Sequence, residues 1–124
     1  MSMIREISRA FFVAFGFFES VMNLFYLIRK DGIMKARKQH KELPEAVSDV
    51  QMTVKVICML ISGMLFFTTG ILSYIFHTYF QSIFVITAGI FVMYAVAEAC
   101  YYRYWKTYGF AGVSLLLCCL LWIN

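Results

Sequence analysis

Four long apolar runs separated by polar stretches dominate this chain of 124 residues, at about 10–28, 53–76, 82–102 and 109–123. An α-helix needs about 20 apolar residues to cross the hydrocarbon of a bilayer. Inside lipid each backbone N–H and C=O must be satisfied within the spanning structure, and these runs are too long and continuous for barrel strands. The pattern predicts an all-α membrane protein: four transmembrane helices in an antiparallel bundle, one domain over 1–124.

Boundary signals sharpen the runs. The first stops at Arg29-Lys30-Asp31-Gly32, where Gly32 suits a left-handed cap. Ser48 and Gln51 have capping-box spacing ahead of the second run. Only residues 77–81 separate the second run from the third, which predicts a tight antiparallel hairpin. The fourth run is short; it starts at Gly109, or at Tyr104 if the aromatic stretch is counted. Arg5 and Arg9 precede the first run as in a signal peptide. That run exceeds the usual apolar core of about 7–15 residues, contains Glu19 and Asn23, and lacks a small-x-small cleavage site. A retained helix is expected.

Composition supports this class. Hydrophobic residues make up 62% of the chain and charged residues 15%, against roughly a quarter charged in soluble domains. Cys58, Cys100, Cys118 and Cys119 lie in or beside apolar runs with no C-x-x-C spacing, as small packing residues do.

Charge sets the expected orientation. Arg29, Lys30, Lys35, Arg37, Lys38 and Lys41 crowd the loop at 29–49, and Lys55, Arg103 and Lys106 fall on the same side. Nine of eleven basic residues on one side place that loop in the cytoplasm and both termini outside. The expected location is the plasma (cytoplasmic) membrane, with the six loop cations on anionic lipid headgroups. No aromatic residue interleaves with those cations, so nucleic acid is not an expected partner. Tyr101, Tyr102, Tyr104, Trp105 and Tyr108 form an inner aromatic belt, and Tyr74, Tyr79 and Trp122 an outer one. Residues 31–49 read either as a short helix on the inner leaflet, anchored by Ile33, Met34 and Leu43, or as a solvated connector. His40 has no neighbour at metal-ligand spacing, and neither metal nor cofactor is expected.

Polar residues within the runs are the candidate chemistry. An ionised carboxylate at the bilayer centre costs about 2.5–3.5 kcal/mol on insertion scales, so Glu19 stands out. Gly16, Glu19, Asn23 and Tyr26 share a face of the first helix at helical spacing, with Ser20 alongside. Ser62, Gly63, Thr69, Gly70 and Ser73 share a face of the second, where small residues favour close packing. Thr87, Phe91, Tyr94 and Glu98 line the third. Glu98 lies near the inner interface, within reach of Lys55 for an ion pair. Glu19 has no basic residue at its depth, which leaves Asn23 and Tyr94 as hydrogen-bond partners. It is either a neutral carboxyl bonded across a helix interface or a functional group.

No nucleophile–base pair, histidine cluster or acidic metal motif occurs in any run, so no catalytic residue is expected. The first expectation is therefore a non-enzymatic accessory or interaction subunit, assembled with itself or with a larger membrane protein. The alternative is a small oligomeric proton-coupled transporter or channel. The layout of four short spans with a glutamate in the first is similar to that of the small multidrug resistance transporters. The resemblance is one of arrangement, shares Glu19 alone, and departs at the long basic loop. It implies Glu19 as the exchange site, facing a cavity between subunits.

Overall fold

The computed structural model describes residues 2–124, which form five α-helices and no strand. They are α1 (Met3–Ile28), α2 (Gly32–Gln39), α3 (Asp49–Ile75), α4 (Gln81–Tyr102) and α5 (Trp105–Ile123). All but α2 are long and apolar enough to cross a membrane. The chain thus has the build of an integral membrane protein.

Three helices start ahead of their apolar runs. The Ser2 hydroxyl accepts the Arg5 N–H at 3.3 Å, so α1 includes two amphipathic turns before the run at 10–28. The Ser48–Gln51 capping box is formed, with bonds of 2.8 and 3.2 Å, and starts α3 at Asp49. Tyr104 caps α5 together with Thr107. Gly32 differs from expectation. It opens α2, and no glycine among the described residues has a positive φ. Its need is space: a Cβ there would stand 1.8 Å from the Tyr26 carbonyl oxygen. The positive-φ residues at helix ends are instead His77, with φ 52°, after α3, and Arg103, with φ 50°, at the sharp α4–α5 turn.

Packing divides the long helices into two intimate pairs, α1 with α3 and α4 with α5. Glycine accounts for the first pair. A Cβ on Gly16 would meet the Phe67 nitrogen at 2.3 Å, and one on Gly63 would meet the Ser20 nitrogen at 2.9 Å. Backbones come this close only where side chains are absent. The α3–α4 hairpin is looser than its short connection suggests, because large rings fill the seam. Phe12, Phe66, Phe84 and Phe91 form the centre of the core; Phe12 lies 4.5 Å from Phe66 and 4.4 Å from Phe84, centroid to centroid. The Thr69 and Thr87 hydroxyls, 3.2 Å apart, join the same two helices.

The segment after α1 contains the short helix, α2, and packs inward rather than running as a solvated connector. Ala36 is fully buried, and Leu43 and Val47 pack with Tyr26, Met52 and Val56 into a second core. Gly32, Ala36, His40, Leu43 and Val47 are all buried, at steps of three or four residues. The segment folds back and plugs one end of the helix assembly, here termed the loop end.

Candidate functional site

The plug brings polar side chains from α2 and the following loop against polar side chains of α1, α3 and α4. On α1, Asn23 turns back one helical turn. Its amide donates to the Glu19 carboxylate at 2.8 Å and to the Glu19 carbonyl at 2.6 Å. Gln39, at the end of α2, donates to both Glu19 oxygens at 3.3 Å and accepts from the Tyr26 hydroxyl at 2.5 Å. His40 Nε2 lies 2.8 Å from the Asn23 oxygen, and its Nδ1 lies 3.7 Å from Glu42.

Glu42 continues the network into the helices. Its carboxylate accepts from Lys55 Nζ at 2.8 Å, and the same ammonium donates to Glu98 at 3.0 and 3.1 Å. The Tyr94 hydroxyl donates to Glu98, one turn along α4. The Lys55 side chain is only 1% exposed and also lies 4.3 Å from the Phe110 ring centre. Burial alone would raise the Glu42 pKa; the His40 bond and the Lys55 charge outweigh it and hold the carboxyl at about 2. One buried cation thus holds two carboxylates from different segments, and a single polar network runs from Glu19 to Tyr94.

Three expected placements change. Tyr94 is bonded to Glu98 rather than to Glu19, whose contacts come from Asn23 and Gln39. The small-residue face of α3 is divided: Gly63 and Gly70 meet α1, while Thr69 meets α4. Ser62 is buried, and Ser73 takes part in an arginine site described next. The basic loop residues split as well. Arg29 and Lys35 flank Asp31 at 3.6 and 3.5 Å, Arg37 holds Asp49 at 2.7 Å, and Lys30, Lys38 and Lys41 are exposed.

Gln39, His40 and Glu42 are the members that sequence reasoning missed. A signal existed in the three- and four-residue steps of Gly32, Ala36, His40, Leu43 and Val47. It is faint, because only Leu43 and Val47 are bulky and apolar.

The opposite end is organised by arginines. Arg9, 6% exposed, donates to the Ser73 hydroxyl at 2.8 Å and to the Ser73 carbonyl at 3.0 Å in the last turn of α3. It also pairs with Glu6 at 3.0 Å and lies over the Tyr74 ring. Arg5 donates to the Asn124 carbonyl at 2.8 Å beyond α5 and stacks over Tyr79. A cation at a helix C-terminus satisfies free carbonyls and complements the dipole.

Chemically, the loop-end network links carboxyl, imidazole, ammonium and hydroxyl groups through adjacent hydrogen bonds and ion pairs. No group of three or more His, Cys, Asp or Glu side chains able to hold a metal occurs among the described residues. No family model, curated protein or solved structure matches this chain.

Proposed function

We propose that this chain is a non-enzymatic accessory subunit: a four-span antiparallel bundle that assembles with a larger membrane protein. Its loop end faces the cytoplasm against anionic headgroups, and both termini face outside. The observation that carries this reading is that Glu19 spends both carboxylate oxygens on Asn23 and Gln39 of its own chain. An exchange site between subunits needs a carboxyl turned outward. The phenylalanine core between the two polar ends leaves no evident path for a solute through one chain. Orientation is supported by the roles of Arg5 and Arg9. Both are engaged on helix ends, which leaves the exposed lysines to favour the cytoplasmic side.

Docking is assigned to α5. Val113, Leu116, Leu120 and Trp122 are exposed there, and a Cβ on Gly109 or Gly112 meets nothing within 4 Å. A partner helix can approach such a backbone closely. The test is native mass spectrometry after mild detergent extraction. The reading predicts a hetero-complex that Gly112→Leu dissolves without lowering the thermal stability of the isolated chain. A chain found only alone or with copies of itself would contradict it. Reporter fusions at Asn124 check the orientation, and cytoplasmic activity there would reverse it.

Proton-coupled transport is the second reading, favoured by the unbroken series of bonded groups from Glu19 to Glu98. It requires that Glu19 exchange a proton with a cavity shared by subunits.

A further inference from the structure

A cleft of about 340 Å³ opens at the loop end, beside the buried network. Its walls come from three stretches: the plug, with Arg37, His40 and Lys41 beside the apolar Leu43 and Pro44; Met52 of α3; and Tyr104 and Lys106 at the start of α5. Two features of the fold create it. The plug folds upward and carries Arg37 and Lys41 to one wall. The left-handed turn at Arg103 swings Tyr104 and Lys106 to the other, although they lie more than sixty residues away in sequence. A non-glycine residue in that conformation costs about 1–3 kcal/mol, so the surrounding fold must hold it there.

The cleft is cationic. Arg37, Lys41 and Lys106 contribute three positive charges; Glu45 in the lining and Asp49, paired with Arg37 at 2.7 Å, offset two of them. Arg37 gives one nitrogen to Asp49 and keeps further donors. Lys41 is exposed and Lys106 half-exposed, with Lys106 also 5.4 Å from the Trp105 ring centre. Ammonium, guanidinium and tyrosyl donors around a small concave volume match a compact oxyanion.

We propose that this cleft binds one phosphate group. The group belongs either to a phospholipid headgroup or to a free phosphate. The proposal deepens the assignment of the loop end to anionic headgroups, replacing diffuse attraction with a single site.

The test uses purified full-length protein in detergent, analysed by native mass spectrometry and thermal unfolding. Separate arms add phosphatidic acid, phosphatidylglycerol, phosphatidylcholine or inorganic phosphate. The Lys41→Gln/Lys106→Gln double variant should weaken binding of the phosphate probe by about tenfold or more. Lys30→Gln/Lys38→Gln, which removes exposed charges outside the cleft, should leave that binding within about twofold. Retention of one anionic phospholipid identifies a lipid source; stabilisation by inorganic phosphate, lost in the double variant, identifies a free one. Equal loss in both double variants means diffuse attraction to headgroups alone and overturns the site. Failure of every phosphate probe to bind overturns both the site and the headgroup assignment.

Discussion

The two ends of the helix assembly both bury charge, yet they settle it differently. At the arginine end, Arg9 and Arg5 each reach a helix C-terminus, so the partners are mainly backbone carbonyls and the carboxylate involved, Glu6, is half-exposed. At the loop end, Lys55 is enclosed by Glu42 and Glu98, and each carboxylate depends on it. Caps are local and leave little behind when removed. A shared cation is collective, because losing it strands two carboxylates at once, the buried Glu98 and the partly buried Glu42. Burial alone does not rank these groups; what remains after deletion does.

The largest effect should follow Lys55→Met. Breaking a buried ion pair by removing one partner costs about 3–5 kcal/mol. Arg9→Met leaves a carbonyl, a hydroxyl and a half-exposed carboxylate, for a cost of about 1–3 kcal/mol. Thermal unfolding in detergent should therefore rank Lys55→Met well below Arg9→Met. The reverse order would break the comparison.

Glu42 sharpens it through pH. Its carboxyl is held at about 2 against an ordinary value of 4.5, so the folded state favours the ionised form. The contribution, roughly 3 kcal/mol, is complete above the unfolded pKa and is lost as pH falls toward the folded one. Stability should decline between about pH 4.5 and 2. Glu42→Gln should remove this component of the decline, and an unchanged pH profile in that variant would refute the assigned pairing.

The seam joining the two ends gives a smaller contrast. Gly16→Ala forces a Cβ toward the α3 backbone at 2.3 Å and should cost about 1–3 kcal/mol by overpacking. Gly89→Ala meets nothing within 4 Å and should gain up to about 1 kcal/mol from helix propensity. Equal melting temperatures for the two variants would contradict the close α1–α3 packing.

Four helices long and apolar enough to span a membrane were legible in the sequence because hydropathy over about 20 residues is a strong signal. The first two turns of α1 were not, since Ser8 and Arg9 are polar yet face inward, whereas the Ser48–Gln51 box marked the start of α3. Asn23 was legible as a partner of Glu19 because one helical turn separates them. Gln39 was not, because its approach depends on a chain reversal at residues 29–32 and on the absence of a side chain at Gly32. Depth makes Tyr94 an available partner for Glu19, but Glu98, one turn away on its own helix, takes the bond. Short-range helical geometry was readable; a polar segment folding back into the helices left only a weak trace.

Glu19 is satisfied within its own chain and, in the proposed function, exchanges no proton with a transported solute. The direct measurement places purified protein in liposomes under an imposed pH gradient and compares wild type with Glu19→Gln. An amide keeps the shape and the hydrogen-bonding capacity of the carboxyl but cannot carry a proton. The accessory role predicts no proton-driven flux of small cationic or neutral solutes in either protein. Flux present in wild type and absent in Glu19→Gln would contradict it and establish the transporter.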